Sequence, residues 1–118
     1  MTIEECYAAM NADYKEVKGR LRTEERIIKF VLKCLDDKSY QLLMDSIHDR
    51  NMEEAFRAVH TMKGICQNLA FTQLYVSTDV LCERLRDCHE YKADIDPLVE
   101  KVKEDYLMTI KCIKLLQA

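Results

Sequence analysis

The chain has 118 residues, of which 48% are hydrophobic and 33% are charged, and it contains only two glycines and one proline. This composition excludes a disordered or fibrous chain and favours one globular helical domain, which we predict over residues 1–118. The 18 basic and 21 acidic side chains, giving a net charge of −3, are mixed along the whole length. Because no basic stripe is offered to a phosphate backbone, we expect no nucleic-acid partner.

The helices predicted in the first half of the chain are short. Hydrophobic spacing is helical almost everywhere, without sustained strand-like alternation, and it predicts an all-α fold. Thr2, with Glu5 three residues on, forms the capping-box pattern that begins a helix. Ser39 is a candidate cap for a later helix. The predicted helices cover residues 3–11, 14–21, 23–37 and 39–49.

The second half carries longer helices. Asn51, with Glu54 three residues on, marks the first start, and Thr72 is a candidate cap for the next helix. Asp96 at the cap position with Pro97 as the first helical residue marks the last start. The predicted helices cover residues 51–69, 72–90 and 96 to the C-terminus. Short turns between amphipathic helices favour antiparallel neighbours, so we predict an antiparallel four-helix bundle with its core over about residues 23–117 and short N-terminal helices across it.

The N-terminal segment and the cysteines bear on localisation and on metal binding. The segment "MTIEECYAAMNADYK" is acidic where a signal peptide is basic and then apolar, and no apolar run approaches the roughly 20 residues that cross a bilayer. We therefore expect a cytoplasmic protein with no membrane partner. No Cys-x-x-Cys pair occurs, so we predict free, mostly buried thiols. Cys88 and His89 are adjacent, but they point about 100° apart on a helix, and we predict no metal site.

One face of the helix predicted over residues 51–69 is apolar, and His60 lies on the opposite face. A projection at about 100° per residue predicts that the imidazole is exposed to solvent. The apolar stripe comprises Ala55, Ala58, Val59, Met62, Ile65, Cys66 and Leu69. On the side of His60 the projection places Phe56, Arg57, Lys63, Gly64 and Gln67.

This grouping suits nucleophilic chemistry. An exposed imidazole is to a large extent neutral at cytoplasmic pH, so a ring nitrogen of His60 offers a lone pair. If the electrophile were phosphorus, Lys63 one turn away could neutralise the anionic product, with Arg57 and Gln67 close enough to contribute. Gly64 costs a helix interior roughly 1 kcal/mol relative to alanine. Its position on the water-facing side favours access for a second macromolecule over close packing of another helix.

The segment "AVHTMKGICQNLAF", residues 58–71, resembles the motif of histidine-containing phosphotransfer (HPt) domains of multistep phosphorelays. That motif is His, any residue, a large aliphatic residue, Lys and Gly, followed by a small or polar stretch that often contains another glycine. The upstream "CLDDKSYQLLMDSIHDRNMEEAFRAV" resembles the helices that lead into the family's active helix, and the resemblance extends from about Asp13 to the C-terminus. Met62 replaces the usual leucine, a volume-conserving change. Ala70 replaces a frequent glycine, which leaves open whether the helix ends there in a left-handed cap or continues.

The resemblance implies that His60 is phosphorylated on Nε2, that Lys63 steadies the phosphoryl group, and that Gly64 keeps the histidine accessible. It implies a phosphocarrier between receiver-domain aspartates, with no ATP-dependent kinase activity and no cofactor, since magnesium is expected on the partner receiver. The sequence also has no nucleotide-binding signature. Expected partners of this monomer are response-regulator receivers or a hybrid histidine kinase. The predicted docking surface comprises Phe56, Arg57 and Gln67 around His60, with Phe71 at its edge.

Three alternatives stay open at this point. The chain could be a helical adaptor in which His60 is incidental, or the phosphotransfer segment of a larger sensor or chemotaxis-type kinase, although the initial methionine favours a free-standing protein. A metal or heme bundle needs inward-facing ligands that the projection does not supply. His48 and His89 have no lysine and glycine spaced like those after His60.

Overall fold

The computed structural model describes residues 1–117, which form seven α-helices and two 3-10 turns and contain no strand. The predicted all-α fold is therefore confirmed for these residues, whereas Ala118, the last residue of the predicted domain, lies outside them. The helices are α1 (Ile3–Ala9), α2 (Tyr14–Leu21), α3 (Glu24–Lys33), α4 (Ser39–His48), α5 (Met52–Leu69), α6 (Thr72–Leu85) and α7 (Asp96–Gln117), and the 3-10 turns are Cys34–Asp36 and Ala93–Ile95. Within residues 1–117, none of the helices has the length and apolar character needed to cross a membrane.

Two of the predicted helix starts are confirmed in atomic detail. The Thr2 hydroxyl accepts a hydrogen bond from the Glu5 amide (3.1 Å), and the Glu5 carboxylate accepts one from the Thr2 amide (2.8 Å), which completes the capping box of α1. The Asn51 side chain accepts a hydrogen bond from the Glu54 amide (3.1 Å) at the start of α5. Each cap satisfies an amide that has no partner inside its own helix.

Two other predicted caps are wrong. The Ser39 hydroxyl caps nothing; instead the Asp37 carboxylate accepts a hydrogen bond from the Ser39 amide (2.9 Å), and Ser39 is already helical. The hydroxyl of Thr72 donates to the Ala70 carbonyl (3.4 Å), and Phe71 occupies the cap position of α6 without a side-chain hydrogen bond. In both cases the residue before the predicted cap occupies the cap position, and the predicted cap is the first residue of the helix.

Several predicted helix ends were also placed too late. The helix predicted over residues 23–37 ends at Lys33 and tightens into a 3-10 turn, while α1 ends at Ala9 and not at residue 11. The helix predicted to reach residue 90 ends at Leu85, because Arg86 is extended and Asp87 has a left-handed backbone (φ 56°).

The start of the last helix also differs from the prediction. Asp96, predicted as its cap, is its first residue, and the Asp96 carboxylate accepts a hydrogen bond from the Tyr91 hydroxyl.

Helix α5 lies among α3, α4 and α6, and α7 packs against α6 and α1. The rings of Tyr40 on α4 and Tyr106 on α7 are stacked, with centroids 3.8 Å apart and planes 4° from parallel. Each of the helices α4 to α7 therefore contacts the next one in the chain, and the tyrosine pair joins the first of them to the last.

Two clusters of buried side chains form the core, and Tyr106 packs against both. The first cluster joins the N-terminal helices to the carboxyl end of α5 and comprises Ile3, Cys6, Tyr7, Met10, Val17, Ile27, Val31, Cys66, Leu69, Ala70, Phe71, Leu74, Cys112 and Ile113. The second lies under the amino-terminal half of α5 and comprises Leu43, Met52, Ala55, Ala58, Val59, Met62, Leu81, Cys82, Leu85, Ile95, Val99 and Val102. The buried core thus begins at Ile3, well before the predicted limit at residue 23.

All six cysteines are free thiols, as predicted, and four of them are buried. Burial raises the pKa of the Cys6 thiol to about 11 and that of the Cys66 thiol to about 12. A thiol that stays protonated at neutral pH is a poor nucleophile and a poor metal ligand, so these two side chains act as small apolar core residues.

Candidate functional site

Helix α5 presents one buried face and one exposed face. Its buried side chains are Met52, Ala55, Ala58, Val59, Met62, Cys66 and Leu69, which match the predicted stripe except that Met52 is added and Ile65 is only half-buried. His60 is exposed, so its predicted orientation toward solvent is confirmed. The histidine is therefore not part of the core.

Among residues 1–117, His60 differs from the other two histidines in its lack of a carboxylate partner. The Nδ1 atom of His48 lies 3.3 Å from the Asp49 carboxylate, and that of His89 lies 2.9 Å from the Glu53 carboxylate. The ion pairs of histidines within residues 1–117 are these two, and neither includes His60. Its imidazole instead lies beside the Phe56 ring, with centroids 5.8 Å apart and planes inclined by 39°.

Phe56 lies between the second core cluster and a surface guanidinium. The ring is half-buried and packs against that cluster. The Arg86 guanidinium lies 5.3 Å from the ring centroid, and Arg86 also donates a hydrogen bond to the Glu83 carboxylate (2.9 Å). The predicted docking residue Phe56 therefore keeps part of its ring exposed beside the imidazole, and Arg86, which directly follows α6, shares that edge of the surface.

Lys63 is held by acidic side chains of α6. Its ammonium lies 2.8 Å from the Asp79 carboxylate and 4.0 Å from that of Glu83. The Lys63 side chain is 21% exposed, and the hydrogen bond to Asp79 raises the pKa of its amine above the ordinary 10.5. The cation predicted to serve the histidine is thus present one turn from His60, but its ammonium is bound to the neighbouring helix.

Gly64 lies within α5 with open space beside it. A Cβ atom added to Gly64 would meet no heavy atom within 4 Å outside its own stretch of helix. Its backbone φ is not positive, so the helix does not need glycine at this position for conformational reasons. Close packing of another helix against Gly64 is therefore excluded as its explanation.

Arg57 and Gln67, the other two residues predicted to contribute on this face, have their own contacts. Arg57 donates a hydrogen bond to the Glu54 carboxylate one turn before it on α5. The Gln67 side chain is exposed, while its main-chain carbonyl accepts a hydrogen bond from Arg20 (2.6 Å). Gln67 thus belongs to the end of the helix, where residues of α2 contact it.

The prediction that Phe71 lies at the edge of a docking surface is wrong. Phe71 is 3% exposed and belongs to the first core cluster, with its ring centroid 5.8 Å from that of Tyr7. Ala70 directs the chain inward just before it, because its backbone is left-handed (φ 57°, ψ 39°). Helix α5 therefore ends in a left-handed cap even though the residue is alanine, which answers the question that the sequence left open.

The carboxyl end of α5 is fixed by residues that the sequence did not single out. The Arg20 guanidinium donates to the carbonyl oxygens of Gln67 (2.6 Å) and Asn68 (2.8 Å), and the Tyr7 hydroxyl donates to that of Leu69 (2.7 Å). The Asp13 amide donates to the Ala70 carbonyl (2.9 Å). Carbonyl groups left unpaired at a helix end thus find partners on α1, on α2 and between them.

The acidic residues of α6 and the arginine after it were also missed. Asp79 and Glu83 stand four positions apart, so they share one face of α6, and Arg86 follows directly after the end of that helix. That spacing was a readable signal for a polar face. That this face adjoins Lys63 could not be read from the sequence, because it depends on how α5 and α6 pack.

Comparisons with known proteins give no relative: no protein-family model, no curated protein and no solved structure matches the chain. Among residues 1–117, no group of three or more His, Cys, Asp or Glu side chains is placed to hold a metal ion.

Proposed function

We propose that this chain is a histidine phosphotransfer domain, in which His60 carries a phosphoryl group between the aspartates of receiver domains. The observation that carries the proposal is the arrangement on α5 of an exposed imidazole, a lysine one turn later and a glycine with open space beside it. A nucleophile, a cation for the product and room for a partner are the requirements of such a transfer.

The transfer is a displacement at phosphorus. The lone pair on Nε2 of His60 attacks the phosphorus of an aspartyl phosphate, and a nitrogen–phosphorus bond forms. The bond from phosphorus to the acyl oxygen breaks, the aspartate carboxylate leaves with the electron pair, and Nδ1 keeps its proton. Delivery to a second receiver is the reverse reaction. The domain supplies position and the Lys63 charge, while magnesium and most of the charge stabilisation belong to the receiver.

The packing of the helices supports a bundle of the kind that such a domain uses. We infer from this packing that helices α4 to α7 form an antiparallel four-helix bundle, with α1 to α3 across one end. Connections of two or three residues between α4, α5 and α6 favour antiparallel neighbours, and the stack of Tyr40 on Tyr106 closes the ring of helices.

A labelling experiment tests the proposal. The protein is incubated with a receiver domain phosphorylated on its aspartate, and the phosphate on the chain is followed by its acid lability and located by mass spectrometry. We expect label on His60 and none in His60→Gln. His89→Gln is the matched control, because His89 is also an exposed histidine, and it should be labelled like the wild type.

Two results would overturn the proposal. If no acid-labile phosphate appears on the wild type with any receiver or with a small phosphoramidate donor, the chain is a helical adaptor in which His60 is incidental. Equal labelling of His60→Gln and the wild type would show that another residue carries the phosphate.

A further inference from the structure

The contact between Lys63 and Asp79 joins α5 to α6 beside the histidine. The ammonium and carboxylate are 2.8 Å apart, and the two side chains are only 21% and 39% exposed. Because the pair is partly shielded from water, its attraction is less screened than that of a fully exposed ion pair. Glu83 is the weaker neighbour, since its carboxylate is 4.0 Å from the ammonium and is shared with Arg86 at 2.9 Å.

The ammonium of Lys63 therefore has a partner before any phosphoryl group arrives. A phosphoryl group on His60 would place additional negative charge one helical turn from Lys63. A lysine has a flexible four-carbon stem and can redirect its ammonium without movement of the helix. The carboxylate of Asp79 and the phosphoryl oxygens would then compete for one cation.

We propose that Asp79 is a positioning residue for phosphorylation of His60: it holds the Lys63 ammonium against α6 and releases it to the phosphoryl group. This inference rests on the proposed function. On phosphorylation, the Lys63 ammonium exchanges the Asp79 carboxylate for the phosphoryl oxygens. The phosphorylated state is therefore less stable by the free energy of the Lys63–Asp79 pair that is lost. Asp79 thus sets how readily the phosphoryl group leaves for the next receiver.

The test measures the phosphorylation equilibrium with a small donor, so that receiver docking plays no part. Each variant is mixed with phosphoramidate and ammonium at a fixed ratio, and the ratio of phosphorylated to free His60 is measured by phosphorus NMR. In Asp79→Asn we expect this ratio to rise by about two- to five-fold, since ion pairs of this class change an equilibrium constant by roughly that factor. Asp79→Glu keeps the carboxylate and should stay near the wild-type ratio.

A double-mutant cycle distinguishes exchange of partners from general repulsion by a nearby carboxylate. In Lys63→Met, the further change Asp79→Asn should leave the ratio unaltered, because no cation is left to release. Glu83→Gln should raise the ratio by less than Asp79→Asn does. Far-ultraviolet circular dichroism verifies that each variant is folded.

Three outcomes would overturn the inference: an unchanged ratio in Asp79→Asn, a lowered ratio in Asp79→Asn, or the same rise in the presence and absence of Lys63. Each of these leaves phosphorylation of His60 intact. If the wild type takes up no phosphoryl group on His60, the proposed function fails, and the inference fails with it.

Discussion

Arg20 on α2 caps the carboxyl end of the site helix through Gln67, whose main-chain carbonyl lies 2.6 Å from the guanidinium. The same guanidinium reaches the Asn68 carbonyl at 2.8 Å, so one cation serves two carbonyl groups at the negative end of α5. Helix α5 is therefore held in place by a side chain that lies 47 and 48 residues away in sequence from the two carbonyl groups.

Replacement of Arg20 tests the energetic contribution of this cap. Arg20→Met keeps most of the apolar stem and removes the charge and the donors, and we expect it to lower the free energy of unfolding by about 1 kcal/mol. Urea unfolding gives the value. Glu16→Gln is the control, because it removes only the ion pair of Arg20 within α2 and should cost less. An equal loss in the two variants would assign the effect to that ion pair.

Substitutions of Gly64 distinguish an effect on access to His60 from an effect on the stability of the protein. Alanine or leucine at position 64 meets no clash near the backbone and improves helix propensity, so both variants should be more stable than the wild type by up to about 1 kcal/mol. Gly64→Leu should nevertheless slow transfer from a phosphorylated receiver domain by at least about ten-fold, because its side chain obstructs the approach of a protein to His60.

A small phosphodonor provides the control for Gly64→Leu. Phosphoramidate needs little room, so its reaction with His60 should change by less than about two-fold in the leucine variant. If Gly64→Leu is folded and accepts phosphate from the receiver at the wild-type rate, the access explanation is wrong.

Ala70 carries a conformation that suits glycine better. An L-residue in the left-handed region costs roughly 1–2 kcal/mol, and glycine there loses roughly 0.5–1 kcal/mol through its more flexible unfolded chain. Ala70 is 5% exposed in the first core cluster, and loss of its methyl group costs about 0.8 kcal/mol, so Ala70→Gly should change the free energy of unfolding by less than about 0.5 kcal/mol in urea unfolding. Ala8→Gly, at an exposed position inside α1, has no such backbone relief and should destabilise the protein by about 1 kcal/mol. A loss in Ala70→Gly that exceeds the loss in Ala8→Gly would contradict a left-handed cap at Ala70.

The pair of His89 and Glu53 should make stability depend on pH. Their hydrogen bond raises the pKa of His89 above 6.5 and lowers that of Glu53 below 4.5. The raised pKa of His89 adds stability that is fully present below pH 6.5 and is lost as the pH rises through the pKa of His89 in the folded protein. The lowered glutamate pKa adds stability that is present above 4.5 and is lost as the pH falls.

Urea midpoints at two pH values test this pair. At about pH 5.5, between the ordinary pKa values of glutamate and histidine, the wild type should have a higher urea midpoint than His89→Asn. At about pH 9, where the histidine is neutral, the two midpoints should be equal. His48→Asn is the control, because the His48 side chain is 87% exposed beside Asp49. A difference for His89→Asn that is the same at both pH values would refute the ionic contribution.

The parts of the fold that follow from local chemistry could be predicted from the sequence. The bounds of α2, the caps at Thr2 and Asn51, and the exposure of His60 were correct, because each depends on residues within a few positions of one another. The end of α6 was missed because the segment after Leu85 contains no glycine or proline. Asp87 instead adopts the left-handed backbone there, a conformation that aspartate tolerates better than most residues.

The parts of the site that depend on packing could not be predicted. Asp79 adjoins Lys63 only because α6 lies beside α5, and Arg20 reaches Gln67 only because α2 crosses the end of α5. Phe71 was assigned to the surface because the motif continues to it in sequence. Its burial follows from the reversal of the backbone at Ala70, which a helical projection does not represent.

The ties from Tyr7, Asp13 and Arg20 to the end of α5 have a practical consequence for any shortened version of this protein. A fragment starting at Thr23 would retain His60, Lys63 and Gly64. It would leave uncapped carbonyl groups at the end of α5 and would expose the apolar side chains there that α1 and α2 bury. A failed test of the proposed transfer in such a fragment would arise from misfolding and not from the chemistry of His60. The two short helices therefore belong to the smallest unit in which the histidine can be studied.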